Sequence, residues 1–248
     1  MGATVVGKPG VKPLLLGGEG AVVAVPIVAE TLREAKNQWE VALAAGADLV
    51  EWRLDALEPQ IDPSQVDEVA TWGREAFGVP VLATIRTEAE GGNYRGSNEQ
   101  YVSQVQRVAS WADLVDVEVE RDGVAELITS LSPKVPVVAS FHEFERPAQP
   151  GHVERILARM VRSGAAVAKV AWMVRDERDL KIVSGAALWA RESLPVPAVV
   201  IGMGEVGRST RLGKFARASA FTFAVASKSS APGQPTIEEI RSSLENRP

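Results

Sequence analysis

Hydrophobic and polar positions alternate along the chain in two rhythms. Short runs rich in Val, Ile and Ala are followed by longer stretches in which apolar residues recur every three or four positions, as in the segment TLREAKNQWEVALAAG. The first rhythm is typical of buried strands and the second of amphipathic helices. The strand-like runs fall at 21–27, 48–54, 79–86, 113–119, 135–141, 165–172, 197–203 and 220–225.

This succession of strand–helix units predicts a parallel sheet with right-handed crossovers. The chain has 248 residues, close to the ~250 that are usual for a (β/α)8 barrel. We therefore expect an α/β protein with a single (β/α)8 TIM barrel over 21–248, preceded by an irregular, Gly-rich arm over 1–20. A doubly wound open sheet is the main alternative. A solenoid is disfavoured because the units share no repeated sequence motif.

Composition narrows the class of protein. Apolar residues make up 46% of the chain, so a full hydrophobic core can form, and the net charge of −5 gives no general attraction to nucleic acid or acidic membranes. There is no cysteine, which excludes disulfides and thiolate chemistry and fits a reducing compartment. We read no signal peptide and no apolar run of about 18 residues. These features lead us to expect a cytoplasmic protein with no nucleic-acid or membrane partner.

A glycine motif follows the seventh strand-like run, in the segment VVIGMGEVGRSTR at 199–211. Its G-x-G-x-x-G spacing resembles a dinucleotide-binding loop, which also needs an acidic residue about 20 positions later. No Asp or Glu lies between Val206 and Ile237. The glycines and the following Arg211 therefore favour a tight turn beside a carboxylate or phosphate, with a plain turn and solvated basic residues as the alternative.

Polar candidates gather where the predicted strands end, the place where parallel barrels bind ligands. Each one alone has an ordinary structural reading, such as a buried ion pair or an exposed histidine. Together they all fall at one end of the predicted barrel. They are Glu51 and Arg53, Arg86 and Glu90, the same-face residues Asp116, Glu118 and Glu120, then His142, Lys169, Met203, Ser230 and Gln234.

Lys169 stands in a strand of Ala and Val, a setting that suits a reactive amine. Burial and nearby cations both favour the neutral amine that attacks a carbonyl, and we expect Arg53, Arg86 and Arg211 near the same mouth. An imine with a ketone acidifies the adjacent C–H, and His142 can take that proton while Glu90 orients the imidazole. Arg211 offers bidentate geometry for a substrate carboxylate. The residues thus indicate an imine-forming lyase acting on a hydroxylated keto acid.

Five segments in order carry a family resemblance: ADLVEWRLD, TIRTEAEGGN, SFHEF, AKVAWM and the long stretch from STR at 209–211 to SSAPGQP at 229–235. From about residue 21 onward the chain resembles type I 3-dehydroquinate dehydratase, or 3-dehydroquinase. The resemblance implies syn dehydration of 3-dehydroquinate to 3-dehydroshikimate through a lysine Schiff base, without metal or cofactor. It also implies a place as the third step of the shikimate pathway and a homodimer.

The resemblance assigns roles to individual positions. It implies that Lys169 forms the Schiff base, that His142 is the general acid and base, and that Glu90 supports this histidine. The positions it implies for substrate binding are Glu51, Arg53, Arg86, Met203, Arg211, Phe223, Ser230 and Gln234. The chain departs from the family pattern at Pro26, Trp172 and Val174, which bears on local contacts of the substrate pocket.

Two other functions compete with this interpretation. A Schiff-base aldolase on a related barrel would also need an inward-facing lysine but would cleave a C–C bond. A barrel without catalytic activity would only bind a carboxylic acid. A covalent adduct on Lys169 and the product formed from 3-dehydroquinate discriminate among the three.

Overall fold

The structure of the protein is a computed structural model that describes residues 2–226 and 233–245. Eight parallel strands form one sheet in the order β10-β3-β4-β5-β6-β7-β8-β9. The first and last of these are joined because Ala220 N, just before β10, donates to Ala198 O at the start of β9 at 2.7 Å. The predicted (β/α)8 barrel is therefore confirmed.

The barrel strands are β3 (Val23–Ile27), β4 (Leu49–Arg53), β5 (Val81–Thr84), β6 (Leu114–Glu118), β7 (Val137–Glu143), β8 (Val167–Met173), β9 (Ala198–Met203) and β10 (Thr222–Phe223). The helices are α1 (Leu32–Ala44), α2 (Pro63–Phe77), α3 (Asn98–Val108), α4 (Val124–Leu131), α5 (His152–Arg162), α6 (Glu177–Ser193), α7 (Gly213–Ala218) and α8 (Ile237–Glu245). Three 3-10 helices lie at Leu54–Ala56, Glu88–Glu90 and Val206–Arg211.

Local sequence signals set the ends of the helices. Helix α2 begins at Asp62, whose side chain accepts a hydrogen bond from Ser64 N, with Pro63 at the first helical position. It ends at Gly78, whose φ of 63° is in the left-handed region that favours glycine. These caps fix where α2 begins and ends between β4 and β5.

The inward-facing residues change character along each strand. The first inward position is apolar and belongs to one buried cluster, formed by Leu49, Leu82, Leu114, Val138, Val167 and Val199. Two residues further on stand Glu51, Thr84, Asp116, Ser140, Lys169 and Ile201, and two further still Arg53, Arg86, Glu118, His142, Ala171 and Met203. Because side chains alternate with a period of two, the sequence itself stacks polar groups at the C-terminal end of the barrel.

The N-terminal arm differs from the expectation that it is irregular. Strands β1 (Thr4–Val6) and β2 (Leu14–Leu16) pair antiparallel as a hairpin. Val6 and Leu16 are buried in the same cluster as the first inward layer of the barrel. The hairpin thus covers the N-terminal end, and burial of these side chains explains why a short, Gly-rich segment is ordered. The division at residues 20 and 21 stays a prediction.

The glycine motif makes a close backbone crossing at the end of β9. A Cβ atom on Gly207 would overlap the backbone of Gly202, so two glycines are needed where the 3-10 helix 206–211 returns over the strand. Thr210 locks this crossing, because its hydroxyl accepts from Gly202 N at 2.8 Å and donates to Gly207 O at 2.7 Å. Residues 206–211 form a six-residue 3-10 helix, and the α-helix that follows, α7, begins at Gly213.

No helix among residues 2–226 and 233–245 is both long and apolar enough to span a lipid bilayer.

Candidate active site

A cavity of about 710 Å³ opens at the C-terminal end of the barrel. Ten of the eleven predicted site residues line it. The predicted residues among its lining are Glu51, Arg53, Arg86, Glu90, His142, Lys169, Met203, Arg211, Phe223 and Gln234. Ser230 lies outside the described residues.

Lys169 projects from β8 into the barrel and is 3% exposed. Its Nζ lies 3.2 Å from Glu51 Oε1 and 3.2 Å from Asp116 Oδ2, and 4.9 Å from the centre of the Phe223 ring. The nearest polar groups are therefore carboxylates, and the lysine belongs to a buried ion pair. The three arginines expected near the same mouth, Arg53, Arg86 and Arg211, all line the cavity.

His142 and Glu90 form a hydrogen-bonded pair, with Nδ1 and Oε2 2.8 Å apart. Burial, followed by Arg86, Lys169 and Arg53, lowers the pKa of His142 well below its ordinary value. Burial also raises the pKa of Glu90 to about 8, against the opposing charge of Arg86. The imidazole is thus neutral at neutral pH, and its Nε2 has no hydrogen-bond partner among the described side chains.

Arg86 is 2% exposed and organises the acidic groups around the cavity. Its guanidinium donates to Asp116 at 2.7 Å, Ser140 at 2.9 Å, Glu118 at 3.2 Å and Glu90 at 3.3 Å. Although burial opposes its charge, Asp116, Glu90 and Glu118 raise the pKa of Arg86 above its usual value. Much of its donor capacity is committed to these groups before any ligand arrives.

Asp55, in the 3-10 helix that follows β4, fixes the loop that carries Glu90. It accepts two hydrogen bonds from the Arg53 guanidinium, both at 2.8 Å. It also accepts from the backbone N–H groups of Arg86 at 3.0 Å and Asn93 at 3.1 Å. One carboxylate therefore sets both the direction of Arg53 and the position of the 86–93 loop.

Arg211 is a buried cation with no acidic partner in the part of the chain that the structure describes. One of its N–H groups donates to Gly233 O at 2.9 Å, while its buried Nε has no partner. Burial, with a smaller contribution from Arg208, lowers the pKa of Arg211 to about 10. A guanidinium that faces the cavity without a counter-charge is suited to an anionic ligand.

Sequence reasoning named Asp116 and Glu118 among the candidates without giving them a role, and it did not include Ser140. Asp116 contacts Lys169, Ser140 donates to Asp116 at 2.6 Å, and Glu118 accepts from the backbone and hydroxyl of Thr87 at 2.8 Å each. The alternation of acidic residues in LVDVE had marked the inward face of β6. The sequence does not show how close these side chains lie to one another in the folded barrel.

The departures from the family pattern have separate outcomes. Trp172 points away from the cavity, because its ring packs against His152 at 5.3 Å between centroids and its Nε1 donates to Arg146 O at 2.8 Å. Val174 is buried beside Gly202. Pro26 does line the cavity. Of the three departures, Pro26 is the one that touches the site.

The fold is a (β/α)8 barrel, and the cavity at the C-terminal ends of its strands, which contains a buried lysine, is the candidate active site. The family model described as type I 3-dehydroquinase matches residues 23–247. The chain belongs to the type I 3-dehydroquinase family.

Relatives and solved structures agree with this assignment. The chain is 36% identical over 239 residues to the 3-dehydroquinate dehydratase of Listeria monocytogenes serotype 4b, covering 92% of this chain and 93% of the relative. The crystal structure from Geobacillus kaustophilus has a TM-score of 0.87 at 31% identity, covering 94% and 93% of the two chains. The type I enzyme from Clostridium difficile, solved with covalent modified comenic acid, also has a TM-score of 0.87, at 27% identity over 94% of each chain.

Proposed function

We propose that this protein is a 3-dehydroquinate dehydratase that converts 3-dehydroquinate to 3-dehydroshikimate by syn loss of water through a Schiff base on Lys169, the third step of the shikimate pathway. One observation carries the proposal. A buried lysine, a neutral histidine paired with a glutamate, and an arginine without an acidic partner face the same cavity. They match the ketone, the acidic C–H and the carboxylate of one small cyclic acid.

Lys169 begins the reaction. Its ammonium gives up one proton, the neutral amine attacks the ketone carbon, and the C–O bond breaks to release water. The products are a protonated imine and water, so the nitrogen carries one positive charge before and after. The protonated imine withdraws electrons from the neighbouring carbon and lowers the cost of removing its proton.

His142 then moves protons in two directions. As a neutral base it takes a proton from the carbon beside the imine, and as an acid it returns one to the departing hydroxyl. When Nδ1–H donates to the Glu90 carboxylate, the hydrogen bond orients the ring and leaves the Nε2 lone pair for this work. Positioned proton transfer of this kind contributes roughly 10²–10⁴-fold to rate.

Arg211 binds the substrate carboxylate, because it is the described cavity arginine that no carboxylate neutralises. A bidentate pair with this carboxylate would satisfy its orphan Nε. Arg53, Arg86, Glu51 and Gln234 lie where they can hold the ring hydroxyls, and we assign Ser230 to the same task from the family pattern. Met203 and Phe223 supply apolar contacts around the ring.

The assay that tests the function mixes purified protein with 3-dehydroquinate and follows the ultraviolet absorption of the conjugated enone. We expect the absorption to rise as product accumulates, at a rate proportional to the enzyme concentration. Carbon–carbon cleavage products would favour the aldolase, and binding without reaction would favour a barrel that only holds a carboxylic acid. Either outcome overturns the proposal.

Two further properties complete the proposal. We expect a homodimer and a cytoplasmic location, as the family resemblance and the cysteine-free composition suggest. Light scattering during size-exclusion chromatography checks the first, with twice the 26.5 kDa chain mass as the expected result. A monomer at catalytic concentrations would contradict the dimer without affecting the chemistry.

A further inference from the structure

Asp116 contacts the reacting nitrogen of the site and holds no role that the sequence or the family resemblance assigns. We propose that Asp116 is the counter-ion of the protonated imine on Lys169, an inference that rests on the proposed function. One oxygen of its carboxylate is held by two donors, and the other lies beside Lys169 Nζ. The positive charge at that nitrogen is the same before and after the imine forms.

The carboxylate of Asp116 is held in one orientation. It is 1% exposed on β6, two strands away from Lys169 on β8, with β7 between them. Oδ1 accepts from Arg86 at 2.7 Å and from the Ser140 hydroxyl at 2.6 Å. Oδ2 lies 3.2 Å from Lys169 Nζ. Two donors on one oxygen thus aim the other oxygen at the nitrogen that reacts.

The charge at this nitrogen does not change when the imine forms. An ammonium and a ketone give a protonated imine and water, with one positive charge on each side of the equation. A carboxylate that neutralises the ammonium therefore also neutralises the protonated imine, with no rearrangement of the site. Such preorganised charge is worth more in a buried site than in water.

Asp116 suits this role better than Glu51, although both lie 3.2 Å from Nζ. Arg86 and the Ser140 hydroxyl both donate to Asp116. Although burial favours the neutral acid, Arg86 and Lys169 hold the pKa of Asp116 below its usual value. Glu51 Oε1 accepts hydrogen bonds from the Thr84 hydroxyl and from Lys169 Nζ. Asp116 is therefore the carboxylate whose negative charge the surrounding donors hold in place beside Nζ.

The charged groups around Lys169 come from several elements. Glu51 and Asp116 touch it, and Arg86, Glu90, His142 and Arg53 stand beyond them around the cavity. Without the negative charge of Asp116, the positive charge of Arg86 is less fully balanced. The electrostatic potential at Nζ then becomes more positive. The protonated imine then loses its proton at a lower pH, and a neutral imine no longer draws electrons from the substrate.

The test is Asp116→Asn, which keeps the shape of the side chain and removes its charge. The alkaline limb of the kcat profile reports groups in the enzyme–substrate complex. We expect this limb to move to lower pH by about 1–3 units, the usual effect of one opposite charge at this range. At pH 8 kcat should fall about tenfold or more, whereas KM should change little.

Asp113→Asn is the matched control. Asp113 is equally buried at the other end of β6, where it accepts from Arg74 at 3.0 Å and from Val81 N at 3.0 Å, far from the cavity. Both variants should lose thermal stability, but the control should keep the wild-type pH limb. A limb that stays in place in Asp116→Asn, or moves equally in Asp113→Asn, overturns the counter-ion role.

Asp116→Glu covers the case in which Asp116→Asn does not fold. It retains the charge, so we expect an alkaline limb close to that of the wild type even if kcat falls. A limb displaced by a unit or more would contradict the proposal. Borohydride trapping separates the two levels of inference: a wild type without a substrate adduct refutes the proposed function. If borohydride traps an adduct in the wild type but the alkaline limb of Asp116→Asn stays in place, only the counter-ion role of Asp116 is refuted.

Discussion

The two ends of the barrel are built from the same strands, but the N-terminal end is a hydrophobic core and the C-terminal end carries the polar groups of the cavity. At the N-terminal end, apolar residues such as Leu49, Leu114 and Val167 pack against Val6 and Leu16 of the hairpin. At the C-terminal end, the same strands present Glu51, Asp116 and Lys169, and the hairpin has no counterpart over the open cavity in the part of the chain described.

Two buried aspartates of β6 and its flank make the comparison concrete. Asp113 is bound by Arg74 and by the backbone N–H groups of Lys8 and Val81, so all its partners are structural. One oxygen of Asp116 accepts a structural hydrogen bond from Ser140, and the other contacts Lys169 Nζ, the nitrogen that must react. The two aspartates are thus equally buried, but only Asp116 lies at the cavity end of the strand, beside a nitrogen that reacts.

The largest expected effect is on the active end. His142→Ala should lower kcat by roughly 10²–10⁴-fold, the usual contribution of positioned proton transfer. The lysine should still condense with substrate, so borohydride should trap an adduct as in the wild type. Stopped-flow turnover and intact-mass spectrometry measure the two properties. Native-rate dehydration by this variant would remove His142 from the mechanism.

The closed end should respond in stability alone. Leu16 is fully buried beneath the barrel, so Leu16→Ala should lower the free energy of unfolding by about 2–5 kcal/mol. Because the cavity lies at the other end, kcat/KM at a temperature where the variant is folded should stay at the wild-type value. Chemical denaturation and initial rates check both. A stable variant would mean that the hairpin does not contribute to the core.

Arg211→Met separates binding from stability at the active end. Loss of a charge-assisted bond to the carboxylate should raise KM about 10–100-fold, equivalent to roughly 1.5–3 kcal/mol. The same change removes a buried, uncompensated cation, so the thermal midpoint should stay or rise. Arg208→Met is the control, since Arg208 pairs with Glu239 at 2.8 Å on the surface. Unchanged KM in the Arg211 variant would place the carboxylate elsewhere.

The smallest expected effect is a pH profile. The raised pKa of Glu90, about 8, means that the glutamate is protonated at neutral pH and becomes an acceptor for Nδ1–H as pH rises through 8. Nε2 then carries the lone pair that a base needs, so kcat/KM should rise through that pH. Glu90→Gln should lose this rise. A wild-type profile that is flat between pH 7 and 9 would show that this pair does not titrate there.

The strand pattern and the motifs predicted the barrel and the identity of the cavity residues, because both depend on local spacing. The period of two put Asp116 on the inward face of its strand. Its contact with Lys169 depends on two strands that pair with β7 from opposite sides, which no local pattern encodes. The hairpin was missed for a similar reason: Thr4–Val6 and Leu14–Leu16 are too short for a clear alternation, and burial against the barrel orders them.

The central claim is that Lys169 makes a covalent imine with the substrate. Borohydride reduction in the presence of 3-dehydroquinate, followed by peptide mass spectrometry, measures it directly, with Lys169→Ala as the control. We predict a mass increase on the peptide that contains Lys169 and none in the control. An unmodified lysine in an enzyme that turns over 3-dehydroquinate, or an adduct on another lysine, would contradict the account.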